Sequence, residues 1–350
     1  MWRSFFCLIL FIFMAVPVAS GQSKKAVDEY NRGLQLQSQG DLNGAIAEYD
    51  KAISIEPRLT QAYLNRGNIR LEKGDMDGAV ADYSKVIELN PREVMGYFNR
   101  GVVRLNKGDY DAAIADFTES LKIVPVFAMA YNNRGNAFKA KGDVDAAISD
   151  YNKAIENNPK LADAYYNRGA ARQSKGDAEG ALADYDLAIN ISPKFPEAYI
   201  NRGIVRQSKG DSSGAIADFD QALSINPNDS DAHNYRGSVY LAKGDITNAI
   251  ADFDKAIELN PQLADAYINR SRARKAKGDE AGTLADLNKA IEVNPSAAIA
   301  YADRGVIRLQ QGKDAEAERD FNRAFQLDPG LKAEFEKYIT EVKRIRALKR

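Results

Sequence analysis

Cysteine, histidine and tryptophan each occur once in 350 residues, and what is missing narrows the chemistry sharply. The one cysteine, Cys7, stands inside an apolar N-terminal run, so a chain cleaved behind that run has no thiol, no disulfide and no cysteine nucleophile. The one histidine, His233, cannot by itself form a histidine metal cluster, and it occupies a position where seven other units have tyrosine, which marks it as a packing substitute rather than a base. No glycine-rich phosphate loop occurs, and no stretch outside the repeated part of the chain is long enough for a catalytic domain. Charge of one sign is also missing. A formal net charge of -1 gives no general basic surface, so neither nucleic acid nor an anionic membrane is expected as a partner. The reading is therefore of a non-enzymatic chain without metal or cofactor.

Long apolar runs are absent except at the start. Met1, Trp2 and Arg3 supply a short positive opening, Phe5 to Val16 is unbroken apolar sequence, and small residues come after it around Ser20 and Gly21. This reads as a secretory signal peptide over 1–21, cleaved near Ser20 or Gly21. Kept uncleaved it would be an anchor, but the 14 residues from Phe5 to Val18 fall short of the roughly 20 that span a bilayer. A secreted or periplasmic location is expected, with membrane contact only through this segment.

The rest of the chain repeats itself. Asn-Arg-Gly returns with small changes every 34 residues, and with its arginine set as position 7 the chain divides into nine units from 26–59 to 298–331. Position 15 is glycine in all nine, from Gly40 to Gly312, and Asp comes next in eight, from Asp41 to Asp279. A glycine past one helix end and an Asp that caps the next make a helix–turn–helix unit. Proline at position 32, from Pro57 to Pro329, accounts for nine of the eleven prolines and stops the second helix. That helix carries one apolar stripe, for example Ala79, Val80, Tyr83, Val86 and Ile87, which a single hairpin leaves uncovered. Stacked neighbours cover it.

Glycine at position 8, alanine at 20, an aromatic at 24, mostly alanine at 27 and proline at 32 resemble the tetratricopeptide repeat over 26–331. The resemblance implies an all-α, right-handed superhelical solenoid of antiparallel helix–turn–helix repeats. The remainder, 332–350, with Phe335, Ile339, Val342 and Ile345 on one face, is expected to be a capping helix.

Arginine at position 7 and an acid at position 23 occur in all nine units, Arg32 to Arg304 and Glu48 to Asp320. Each lies eight residues from the turn glycine, about 12 Å at 1.5 Å per residue. They should meet as a structural Arg–carboxylate ladder, within or between hairpins. Asparagine fills position 6 in seven units: Asn31, Asn65, Asn99, Asn133, Asn167, Asn201 and Asn269, with Tyr235 and Asp303 as exceptions. The resemblance implies that positions 2, 5, 6, 9, 12 and 13 line a concave surface. The asparagine row is similar to that of O-linked N-acetylglucosamine transferases, where such residues hold the main chain of an extended peptide. An amide both donates and accepts, which suits a peptide bond.

Units 2 to 4 would add an apolar stretch, Leu64, Leu71, Met95, Phe98, Val102, Leu105 and Met129, to take hydrophobic side chains or to pack between repeats. Units 4 to 6 turn polar, with Asn132, Asn136, Gln173 and Gln207, and position 2 becomes acidic in Asp163, Glu197, Asp231 and Asp265. The clamp by which some family members hold chaperone C-termini needs a cation at positions 2 and 5. No unit has one there. The expected function is an interaction scaffold that receives an extended peptide or a partner helix. The alternative is an envelope glycan or cell-wall polymer, for which Tyr30 and Tyr166 at position 5 would serve.

Overall fold

The computed structural model describes residues 23–348, so the proposed signal segment lies outside the described residues. All regular structure there is helical, and none of the helices is long and apolar enough to cross a membrane. The chain divides into two compact bodies at Ile191 and Ser192.

The first body holds five hairpins: α1 (Lys24–Ser38) with α2 (Leu42–Ile55), α3 (Thr60–Glu72) with α4 (Met76–Leu89), α5 (Val94–Asn106) with α6 (Tyr110–Ile123), α7 (Ala128–Ala140) with α8 (Val144–Asn157), and α9 (Ala162–Ser174) with α10 (Ala178–Ile191). The second holds four, α11 (Pro196–Ser208) with α12 (Ser212–Ile225), α13 (Ser230–Ala242) with α14 (Ile246–Leu259), α15 (Ala264–Lys277) with α16 (Glu280–Val293) and α17 (Ala298–Gln310) with α18 (Asp314–Leu327), and then α19 (Leu331–Leu348). Inside each body every helix packs on its chain neighbours, and successive first helices such as α3, α5 and α7 also touch.

The turns form as their residues dictate. Gly40 and its eight counterparts have φ between 79 and 88°, a region that costs other residues energy. In the first turn Gly40 and Asp41 donate to the carbonyls of Gln37 and Leu36, a Schellman closure. Asp41, Asp75, Asp109, Asp143, Asp177, Asp211, Asp245 and Asp279 then each accept the backbone N–H three residues on. Such a cap contributes about 1 kcal/mol.

In eight of the nine hairpins the core is the aromatic at position 24 pressed onto the glycine at position 8, and in α15–α16 those positions are Leu287 and Ser271. A Cβ on Gly101 would stand 2.8 Å from Phe117 Cε1, and one on Gly33 2.5 Å from Tyr49 Cε1. Position-20 alanines and these rings are buried, as in Ala79 with Tyr83. On α19, Phe335, Ile339 and Val342 pack against Phe321 and Leu309, while Ile345 is exposed.

Candidate functional site

The first helices carry nearly all of the predicted site. The arginine ladder forms as the turn geometry requires. Arg66, Arg100, Arg134, Arg168, Arg202, Arg236, Arg270 and Arg304 each grip the position-23 carboxylate of their own hairpin through two nitrogens, for instance Arg100 Nε and Nη2 on Asp116 at 3.0 and 2.8 Å. The third nitrogen crosses to position 25 of the preceding hairpin: Arg66 to Asp50, Arg100 to Ser84, Arg134 to Thr118, Arg168 to Asn152. One guanidinium thus ties two repeats together, within and between hairpins. It also lies over the position-4 ring, 5.4 Å for Arg66 over Tyr63, an attraction of about 0.5–1 kcal/mol or more when desolvated. Hydrogen bonding to Asp150 keeps the Arg134 guanidinium firmly protonated against burial.

The first rung differs. Arg32 is exposed and pairs with Glu29, while Glu48 turns to Lys51, because position 4 is an acid there instead of a ring. At His233, Nδ1 meets Asp252 at 3.1 Å and Nε2 meets the Pro227 carbonyl at 3.2 Å. Tyr267 donates to the matching Pro261 carbonyl, so the histidine does fill a tyrosine's place.

The asparagines of position 6 reach back to the preceding first helix. Asn65 Nδ2 donates to Tyr30 Oη at 2.9 Å, Asn99 to Asn68 Oδ1 at 3.0 Å, Asn167 to Asn132 Oδ1 at 3.0 Å and Asn269 to Asn234 Oδ1 at 3.0 Å. Their exposure varies along the row. Asn31 is exposed, Asn167, Asn201 and Asn269 are half-buried, and Asn65, Asn99 and Asn133 are buried. Asn132 is buried too and touches Asn133 Oδ1 at 3.4 Å. The buried Asn99 Oδ1 has no hydrogen-bond partner. An amide that makes one such bond keeps further donor and acceptor capacity, which matters most at the half-buried members.

The apolar candidates sit differently from an open stretch. Met95, Phe98, Val102 and Leu105 are at most 7% exposed and form one core cluster with Phe117 and Leu121, with Leu64 and Met129 packed against it. The inter-repeat packing alternative applies to them, because the wide position-24 ring and the Phe127 ring, 4.7 Å from Phe98, fill the space from behind. Leu71 joins the packing around Tyr83 and Val103.

The polar candidates have a reason that sequence reading missed. Tyr83 donates its hydroxyl to Asn68, Tyr151 to Asn136, Tyr49 to Gln37 and Tyr185 to Gln173. Where position 24 is tyrosine, position 9 or 12 carries an amide to receive the buried hydroxyl. Where it is Phe117 or Phe321, those positions are Val102 and Leu105 or Val306 and Leu309, whereas the unit of Phe219 keeps Gln207 at position 12. Asn136 Oδ1 therefore receives the Tyr151 hydroxyl, while the side chain stays half-buried. Tyr30 is buried beneath Asn65, and burial raises its hydroxyl to about 12, so it offers no ring to a sugar; Tyr166 remains half-buried.

Charges on this face are uneven. Burial pushes the Asp163 and Asp231 carboxyls up, and Asp229 and Asp265 add repulsion at Asp231. Lys139 at position 12 is half-buried, and burial pushes its ammonium down. Arg272 and Lys275 add cations at positions 9 and 12, away from the positions 2 and 5 that a chaperone clamp would use. Among the described residues no three His, Cys, Asp or Glu side chains are disposed to hold a metal ion.

Sequence profiles described as TPR repeat match residues 33–74, 67–108, 135–176 and 171–210, and profiles described as Tetratricopeptide repeat match 200–264, 268–331 and 96–126. The chain belongs to the tetratricopeptide repeat family. No curated protein matches it. Among solved structures, this tetratricopeptide repeat chain is similar to one in the crystal structure of the APC/C hetero-tetramer Cut9-Hcn1, at 13% identity and TM-score 0.59 over 90% of this chain and 76% of the other. It is also similar to Pseudomonas aeruginosa pilF, at 18% identity and TM-score 0.55 over 61% and 97%. A tetratricopeptide repeat protein from Parabacteroides merdae ATCC 43184 matches at 20% identity and TM-score 0.54 over 71% and 98%. These likenesses are of fold alone. Tetratricopeptide repeat proteins are in general non-enzymatic scaffolds for protein–protein interaction.

Proposed function

We propose that this chain is a secreted or periplasmic scaffold that holds an extended peptide or a partner helix along its first helices. The observation that carries the reading is the asparagine at position 6 in seven of the nine repeats, with Asn167, Asn201 and Asn269 half-buried and with amide capacity beyond a bond to the preceding repeat, as at Asn167 in the first body and Asn269 in the second. Helices pack about 8–10 Å apart, so one amide per repeat meets an extended strand about every third residue at about 3.3 Å per residue. The ladder of guanidinium bridges supports it by fixing that spacing without occupying the amide row. The N-terminal segment supports export. The buried apolar cluster of α5 and α7 makes the polar row, rather than a hydrophobic floor, the principal contact.

The test uses residues 22–350 to capture partners from an envelope extract, beside an Asn167→Ala/Asn269→Ala variant. Loss of a captured protein from the variant, with thermal midpoints alike, supports the reading. Retention of the same protein by both contradicts it, and capture of polysaccharide instead would point to the glycan alternative.

A further inference from the structure

His233 fills a tyrosine's place in the packing, yet its two ring nitrogens do what one phenol hydroxyl cannot. Its side chain is 12% exposed, with α14 on one side and the segment joining α12 to α13 on the other. Nδ1 meets Asp252 Oδ1 at 3.1 Å and Nε2 meets the Pro227 carbonyl at 3.2 Å. Both partners only accept. A peptide carbonyl has no proton to give, and Arg236 holds Asp252 as a carboxylate through Nε and Nη2 at 2.8 and 2.7 Å. A neutral imidazole carries one N–H, so it donates to one partner and turns a lone pair towards the other. The imidazolium donates to both.

Other rungs explain why the ring is there. Arg70, Arg104, Arg172, Arg206, Arg274 and Arg308 at position 11 each give their hairpin's position-23 carboxylate a second cation beside the arginine of position 7. In α13–α14 position 11 is Tyr240, so Asp252 lacks that arginine, and this is the hairpin in which position 4 is histidine. The second cation has moved to His233, and a permanent charge has become a removable one. Around the ring, Arg236 of α13 also donates through Nη1 to Asp220 of α12 at 2.6 Å, and Asp229 of the joining segment accepts the Ala232 N–H at 2.9 Å. Asp231, which Asp265 of α15 repels, is two residues before the ring and so on another side of α13. Loss of the ring's proton leaves Asp252 and Asp220 to Arg236.

We propose that this rung is a proton-operated clamp between neighbouring hairpins. With the ring protonated, His233 ties the Pro227 carbonyl of the joining segment to Asp252 of α14. As pH rises and the ring gives up one proton, the other stays on Nδ1, because its bond to a carboxylate is charge-assisted. The bond to Pro227 is the one released, and the segment 226–229 loosens against α13–α14. At the matching place in the next hairpin Tyr267 donates its hydroxyl to the Pro261 carbonyl at 3.4 Å, and a neutral hydroxyl keeps its proton across the range, about pH 5–8, in which an imidazole exchanges its own. The clamp goes beyond the amide row and does not depend on it.

The test uses residues 22–350, in which the one histidine gives one set of imidazole signals. Ring-nitrogen NMR shifts follow its charge and tautomer, and hydrogen exchange follows the Asp229, Ala232 and His233 amides, corrected for base catalysis. The account expects the neutral ring to carry its proton on Nδ1. It expects protection of these amides to fall with the ring's own titration by about two- to tenfold, the span that one hydrogen bond is worth. His233→Tyr, which installs what Tyr267 has, should keep the fold and remove the pH dependence. The proposal fails if the ring does not change charge across about pH 5–8, or if the neutral ring carries its proton on Nε2. It fails equally if the amides ignore the ring's titration, or if His233→Tyr keeps the same pH dependence.

Discussion

Replacing Arg134 with leucine tests the ladder where it has least support. In most hairpins the buried position-23 acid has a second cation from position 11: Asp116 receives Arg100 and also Arg104 Nη1 at 2.8 Å. In α7–α8 position 11 is Phe138, and Asp150, 5% exposed, is held by Arg134 at 2.7 and 2.8 Å. Arg134→Leu therefore strands a buried carboxylate, a loss of about 3–5 kcal/mol. It also breaks the 3.0 Å bond to Thr118 Oγ1. Arg100→Leu leaves Asp116 with Arg104, so its cost should stay near that of lost charge-assisted hydrogen bonds, about 1.5–3 kcal/mol. Arg134→Leu combined with Asp150→Leu should recover most of the single loss, since no charge is left unpaired. Urea unfolding by circular dichroism gives the totals. Hydrogen exchange of the α7 and α8 amides localises them, because a repeat array opens in neighbouring units. The reasoning is refuted if Arg134→Leu costs no more than Arg100→Leu, or if the double variant is no better than the single one.

The same contacts set the outcome of other substitutions. Gly101→Ala should destabilise by about 1–3 kcal/mol through overpacking against Phe117, and adding Phe117→Leu should relieve part of it; chemical unfolding of the three chains decides, and no relief would break the pairing of positions 8 and 24. Burial raises the Asp252 carboxyl, but hydrogen bonds from Arg236 and His233 outweigh this and hold it low. The stability it contributes is thus complete above about pH 4 and is lost as pH falls through the lowered value, so Asp252→Asn should flatten the acid limb of a thermal-midpoint profile. Asp303 is raised by burial, which gives the opposite sign: stability falls as pH climbs from about 4 to the raised value, and Asp303→Asn should remove that fall. An unchanged slope in either variant contradicts the corresponding account. Lys107, exposed and paired with Asp77 of the preceding hairpin, should cost under about 0.5 kcal/mol when changed to alanine.

The fold was readable because each unit repeats its own punctuation. Gly40 and Asp41, or Gly74 and Asp75, fix a turn by φ and by capping, and Pro57 ends the second helix of its unit. The Arg–Asp pairing was readable from distance to the turn alone. What escaped was competition for the same side chains. Asn136 and Gln173, read as groove amides, also receive the hydroxyls of Tyr151 and Tyr185, a second demand on the same side chains that helix position alone does not show. In the sequence Met95 and Phe98 stand between groove and inter-repeat packing, because a helix pattern shows which residues share a face and not how deeply the next repeat covers it. The inter-repeat pairs of Lys107, Lys141 and Lys175 with Asp77, Asp111 and Asp145 also went unread, because their partners lie 30 residues back in the chain.

The most direct test of the scaffold reading is photo-crosslinking from defined positions of residues 22–350 in an envelope extract. A crosslinking residue replaces Gln61 or Ala140, exposed on first helices, and in parallel Ala81 or Ala115, exposed on second helices. The account predicts one partner crosslinked from Gln61 and Ala140 and absent from Ala81 and Ala115. Crosslinks to a partner from the second-helix positions alone would contradict it.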